Sequence, residues 1–380
     1  MNIINDRRLW FYPIVFGLLG AFLGLLIRFF FAQTTFGFPI KNLIHSHSHV
    51  MLLGFLFNAL MVLIWKFFTK GIDTISYRYY KALQICVGGM FVAFIIQGYA
   101  LLSILFSTLH LWIGYVFLIR LWKNVEGSKQ LVSLVKLGIA FYFISSIGPY
   151  CLGPLMVFNL QESPWYQQAV FFYLHFQFFG AFLVWLLAVF LKNTSAQITK
   201  KHVWVIGLSI IGLYTHSLDY HFNHWLIQSI GGVSSALLLF VFISFAQSIK
   251  RFKKGYYYIY GVLLAVGICN VLGSFPQVVH LVETNHYLLI AWFHFLFLGL
   301  FVPFIWVELP IYISNSTWAV YGLFVVLSEA LLVFPDAAYS LLKTPITWLL
   351  FIAYFGVFGS MSIVHLRYVR CLRNNARHSI

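Results

Sequence analysis

Fourteen histidines are set in a chain that is otherwise overwhelmingly apolar, and three of them, His45, His47 and His49, open one hydrophobic stretch. Imidazole in an apolar surround is costly unless it is hydrogen-bonded or bound to a metal, so histidines converging on one layer point to a shared ligand. The stretch HSHSHVMLLGF runs from His45 to Phe55, and AWFHFLFLGLFVPF, from Ala291 to Phe304, carries His294. If both are helices entering from one face, a rise of about 1.5 Å per residue sets His49 and His294 level, roughly 8 to 12 Å below that face. Two level imidazoles on facing helices can ligate a heme iron from opposite sides, giving a low-spin, electron-transferring centre. His45 shares a face with His49, and His47 points elsewhere. The plainer alternative is that all three cap the helix among lipid headgroups.

A second group could hold copper. YLHFQFFGAF places His175 at the same depth, and LYTHSLDYHFNH supplies His216, His221 and His224. Copper favours imidazole, and three ligands from neighbouring helices would suffice. A lone intramembrane histidine can equally hydrogen-bond a carbonyl across a helix interface. Arg28, near the outer end of the first hydrophobic stretch, could pair with heme propionates through its fixed charge. It could also snorkel to headgroups. Glu329 is ionisable inside an apolar helix and therefore a candidate proton carrier or histidine partner, or else an interhelical hydrogen bond made while protonated.

The elements that must position these residues follow from composition. With 61% hydrophobic and 9% charged residues over 380, the chain reads as a polytopic membrane protein and not a water-soluble globule. Lipid leaves no partner for backbone polar groups, and continuous apolar runs without alternation select an all-α bundle over a β-barrel. Spans are expected at 9–31, 44–67, 80–101, 104–122, 131–157, 168–191, 203–217, 225–248, 256–281, 286–307, 317–335 and 345–367. That is a twelve-transmembrane-helix bundle filling residues 1–380 as one integral membrane domain. The first span is too long for a signal h-region and is expected to stay as helix one. Cys86, Cys151, Cys269 and Cys371 lack CxxC spacing and suggest neither a thiolate zinc site nor a disulfide framework.

Charge supports the count. With the N-terminus inside, every one of the 24 lysines and arginines falls on inner segments except Lys41, Lys343 and Arg28. That is the segregation cytoplasmic loops impose, with both termini cytoplasmic, as in a bacterial inner membrane. The net charge of +15 is dispersed over short loops, so it reads as topological and not as a nucleic-acid surface. All the histidines except His202, His365 and His378 then lie at or near the outer face. No acidic chain leads in from the cytoplasmic side, which disfavours proton pumping.

This order of helices resembles the catalytic subunit of the heme-copper oxidases: a histidine near the outer face of the second span, His175 after an aromatic run in the sixth, one ending the seventh, and AWFHFLFLG in the tenth. In that family the tenth helix carries a His-x-His pair, the first for the high-spin heme and the second for the low-spin heme shared with the second helix. The positions here are Trp292 and His294. The resemblance therefore implies a low-spin pair of His49 and His294 but no high-spin proximal ligand. The family's sixth helix sets a copper histidine before a carboxylate and a phenol, where this chain has His175, Gln177 and Phe179. Its seventh helix usually has adjacent histidines, where this chain has His216 and Ser217. Every departure falls on the oxygen-reducing centre. More narrowly, HSHSHVMLLGF is similar to the H-x-H-x-M-L-x-G-F stretch of twelve-span heme-copper membrane proteins of nitric-oxide stress.

Three readings follow. The first is a heme-binding subunit with one bis-histidine heme, acting in electron transfer or in oxygen or nitric-oxide chemistry or sensing, in a lipid bilayer with an electron donor or respiratory-type subunits. The second is an active oxidase or nitric-oxide reductase with ligands such as His280 or His286. The third is a non-redox transporter or metal-delivery protein. Against the third, no internal repeat is evident and the histidines lie near one face rather than at the midplane.

Overall fold

The computed structural model of the chain describes residues 9–33, 37, 39–194, 196–218, 224–246 and 254–377. Regular structure among them is entirely helical. The principal helices are α1 Phe11–Ala32, α2 Ile40–Phe68, α3 Thr74–Gln97, α4 Leu101–Asn124, α5 Lys129–Val157, α6 Pro164–Thr194, α7 Lys200–Leu213, α8 Trp225–Ser244, α9 Lys254–Leu272, α10 Tyr287–Glu308, α11 Asn315–Val333 and α12 Ile346–Arg377. Among the described residues, eleven of them are long and apolar enough to cross a membrane. The exception is α7, whose 14 residues pass into a short 3-10 turn, Tyr214–Ser217. Leu101, Ile96, Val326 and Leu323 are among many large apolar side chains left exposed on helix faces, as contact with lipid requires.

Several boundaries differ from the sequence expectation for local reasons. The third helix begins at Thr74, six residues earlier than expected, because Asp73 caps it and accepts from the Ile75 and Ser76 amides. The ninth stops at Leu272, and Pro276 opens a separate short helix, Pro276–Thr284. Inside α5, Ser145 and Ser146 donate back to the carbonyls of Tyr142 and Phe143, where the regular helix is interrupted.

The chain divides into two compact units. The first holds α1 to α4, α11, α12 and α10 from Ile290 onward; the second holds α5 to α9 with residues 67–70. In the first, α1 packs between α2 and α12 through glycines. A Cβ at Gly17 would meet His365 Cε1 at 2.7 Å and the Phe55 ring at 2.8 Å. Asn42 and Ser46 donate to the Ile95 and Phe91 carbonyls, fixing the start of α2 to the end of α3. Lower in the same pair, Asn58 and Gln84 bond each other reciprocally, as two buried amides must. In the second unit, Trp185 Nε1 donates to the Val135 carbonyl and ties α6 to α5.

Among the described residues, three helices contain π-helical segments: Val50–Phe57, Phe176–Phe182 and Phe295–Phe301. Each starts immediately after a histidine, His49, His175 or His294, and each carries a glycine five residues beyond it, Gly54, Gly180 or Gly299. The recurring His-x4-Gly is an internal repeat that the sequence reading missed. π-helical turns cost helix geometry and are concentrated at functional sites. A neighbouring aromatic lies over two of the glycines: a Cβ at Gly54 would sit 2.8 Å from Phe16 Cγ, and one at Gly180 2.7 Å from Phe141 Cβ.

Candidate functional site

On α10, His294 Nδ1 lies 3.2 Å from Oε1 of Glu329 on α11. With Glu329 as the acceptor, Nδ1 carries the proton and Nε2 keeps its lone pair. Ser328 Oγ donates to the same carboxylate oxygen at 2.9 Å. Glu329 Oε2 is buried with no hydrogen-bond partner among the described residues. On α2, His47 Nδ1 lies 2.8 Å from the Gly20 carbonyl of α1, and the same logic leaves Nε2 of His47 with a lone pair. His294 and Arg28 are within electrostatic reach of His47, and Arg28 and Glu329 within reach of the Tyr354 hydroxyl on α12. Five helices thus gather Arg28, His47, His294, Glu329 and Tyr354 into one polar cluster inside an apolar unit.

Glycines make room for it. A Cβ at Gly24 would lie 2.9 Å from His47 Cε1 and 2.6 Å from the Tyr354 hydroxyl, so only hydrogen at this position leaves both side chains where they are. His49, two positions and about 200° further around α2, faces another way. Its Nδ1 lies 2.9 Å from the His45 carbonyl, and its ring packs at a tilt against Phe94 with centroids 4.4 Å apart. His45 follows it, packing on Phe94 and on Tyr99. The sequence reading paired His294 with His49 and had His47 facing elsewhere. The α2 imidazole in reach of His294 is His47.

The cluster fits a heme by its donor set. Imidazoles that bind metals through Nε2 give their Nδ1 proton to a carbonyl or carboxylate, which fixes the ring and raises its basicity. His47 and His294 both do so, from different helices. Neither ring is packed out: His47 is half-buried, and 25% of the His294 side chain remains accessible. Arg28 supplies the fixed positive charge that propionates need.

In the second unit, His175 Nε2 lies 2.9 Å from the Ile210 carbonyl of α7, so Nε2 carries the proton. Its Nδ1 accepts from Ser217 Oγ at 3.2 Å, leaving no lone pair unspent. His216 is within electrostatic reach of His175, but its Nε2 meets Ser274 Oγ at 3.1 Å. Gln168 Nε2 bonds the Tyr214 hydroxyl and the Ser217 carbonyl, completing a polar patch that links α6 to the 3-10 turn. No three His, Cys, Asp or Glu side chains among the described residues converge on a point that could hold a metal ion. His224 caps α8 through Nδ1, and His280 is exposed on its short helix. His221 and the side chain of His286 lie outside the described residues.

Sequence reasoning singled out Arg28, Glu329 and both cluster histidines but missed Tyr354 and the bond between Ser217 and His175. Tyr354 is one of 22 tyrosines and carries no local mark. The His-x4-Gly repeat was the available signal that α2, α6 and α10 share a histidine-led π segment. Compared with known proteins, the sequence matches no family model and no curated protein.

Proposed function

We propose that this chain is an integral membrane heme protein, in which His294 of α10 and a histidine of α2 ligate one low-spin heme from opposite sides. The observation that carries it is the matched pair of contacts: His47 and His294 each turn Nδ1 to a protein oxygen, an arrangement that leaves Nε2 for a metal. On this reading His47 is the α2 ligand and His49 the alternative. Arg28 pairs with the propionates, Glu329 fixes His294, and Tyr354 and Gly24 shape the wall. Such a heme supplies one-electron transfer or binding of a small gas, and the chain's part is to hold it level and screen it from water. The resemblance to the heme-copper oxidase catalytic subunit supports the reading. Trp292 in place of a proximal histidine, and a hydrogen-bonded His175, favour electron transfer or gas sensing over oxygen reduction.

The same proposal includes twelve spans with both termini on the cytoplasmic side of a bacterial inner membrane. The α-helix of α7 extends about 21 Å and its 3-10 turn adds about 8 Å, close to the roughly 30 Å of a hydrocarbon core. The test is a reduced-minus-oxidised spectrum of the purified protein. Sharp low-spin bands are expected in the wild type, lost in His294→Ala and His47→Ala and kept in His49→Ala. Colourless wild-type protein, or bands that survive His294→Ala, would end the proposal.

A further inference from the structure

The heme reading leaves unused a cavity of about 440 Å³ in the second unit, walled by the start of α5, the end of α6 and the segment that leads into α7. We propose that this cavity seats the phosphate headgroup of one anionic phospholipid. Its floor is apolar: Leu131, Leu191 and Ala196 line it and are buried. Its rim is polar, formed by Ser128, Gln130, Lys192, Gln197 and Thr199. Lys129 and Lys200 adjoin rim residues along the chain, and no carboxylate pairs with these three lysines among the described residues. Glu126, the nearest acidic residue in sequence, is held by Lys70 at 3.2 Å. Ser128 does not cap α5, so no side chain answers the amides of the first turn, which borders the cavity.

Floor and rim together select the ligand. A free phosphate ion would use the rim and leave the apolar floor uncovered. A phospholipid uses both, its phosphate among the lysines and its glycerol and first methylenes over Leu131 and Leu191. No acidic side chain lines the cavity to receive a choline or ethanolamine cation, so a lipid of net negative charge is preferred. The volume lies within the roughly 300 to 1,000 Å³ of small-molecule sites. Depth fits as well: α5 and α6 are long and apolar enough to span, so their ends meet the headgroup layer, where basic pockets between spans bind anionic headgroups. Under the topology proposed above, the cavity opens on the cytoplasmic leaflet, whose anionic lipids supply the ligand. Because α5 and α6 precede α7, this holds whether or not α7 crosses.

The inference does not rest on the heme reading. The experiment repurifies full-length protein from mixed micelles of phosphatidylcholine and phosphatidylglycerol and counts the retained lipids by mass spectrometry, with the visible spectrum and thermal unfolding recorded on each sample. Wild-type protein is expected to retain phosphatidylglycerol in preference to phosphatidylcholine. Lys192→Gln lowers that preference roughly five-fold, the worth of one cationic side chain near a membrane surface, and adding Lys129→Gln lowers it further. Lys81→Gln, an exposed lysine of the first unit, leaves it unchanged. Gln197→Trp keeps every charge but fills the cavity, so the preference falls again while unfolding stays cooperative. Equal retention of the two lipids by wild type, the same loss in Lys81→Gln as in Lys192→Gln, or a preference untouched by Gln197→Trp would overturn the proposal. Inorganic phosphate is expected not to displace the lipid; displacement that Lys192→Gln abolishes would assign the cavity to the free ion instead. Colourless protein that keeps the lipid preference would sink the heme reading alone.

Discussion

At the scale of single residues, the proposed heme site turns on which imidazole nitrogen carries the proton. Glu329 acts on His294 through Nδ1. Glu329→Gln keeps an oxygen that can accept this proton, whereas Glu329→Leu leaves it unanswered. Removing such a partner typically weakens metal affinity by roughly 10- to 100-fold. The heme-to-protein ratio after washing with a competing apo-globin is therefore expected to stay near wild type in the Gln variant and fall in the Leu variant; equal retention would show that Glu329 does not support the ligand. Arg28 and Glu329 were legible in the sequence because an ionisable group in an apolar run stands out. That His47 comes within reach of His294 was not, because neighbouring helices and not spacing decide which face meets α10. Outside the spans, burial is the largest single influence on Asp73 and raises its carboxyl, but the hydrogen bonds from Ser76 and the charge and hydrogen bond of Arg120 at 3.0 Å together outweigh it, so the carboxyl titrates below the ordinary 3.8. A depressed folded-state value contributes stability above the ordinary one and loses it as pH falls through the folded value. Thermal midpoints in detergent should drop more steeply below about pH 4 in wild type than in Asp73→Asn, and parallel profiles would remove the linkage.

At the scale of elements, the histidine-led π segments distinguish α2, α6 and α10 from the helices around them. Apolar runs reveal that a helix exists but not that its hydrogen bonds shift by one residue, because that shift depends on what packs across the glycine. Alanine at Gly54 or Gly180 must displace Phe16 or Phe141, whose nearest atoms are at the ring base and cannot swing aside. Such overpacking costs about 1 to 3 kcal/mol. Gly322, in the middle of α11, has open space where a Cβ would go, and alanine there should gain roughly 0.5 to 1 kcal/mol. Thermal unfolding in detergent should therefore move down for Gly54→Ala and Gly180→Ala and stay level or rise for Gly322→Ala. A uniform response would mean that the packing over the π segments carries no special constraint. The order of the helices was legible throughout. The short α7 was legible only as a span, since its change to a 3-10 turn at Tyr214 is set by Gln168, Tyr214 and Ser217 bonding across to α6.

At the scale of the whole molecule, the distribution of lysine and arginine is the one property that speaks to orientation, and its force depends on parity. If α7 crosses the membrane, the loop before α12, with Lys343, and the loop before α5, with Lys129, lie on opposite sides. If α7 only dips in and returns, every later loop inverts, and Lys343 joins Lys129 on the inner side, where basic residues collect. The two cases separate with an impermeant maleimide applied to intact cells, in a background where Cys86, Cys151, Cys269 and Cys371 are replaced. Twelve crossings predict that Lys343→Cys is labelled in intact cells and Lys129→Cys only after lysis. Labelling both sites only after lysis would instead leave eleven crossings and put the termini on opposite sides. It would also turn α10 over, carrying His294 toward the face opposite His47, so the heme site proposed between α2 and α10 requires that α7 cross.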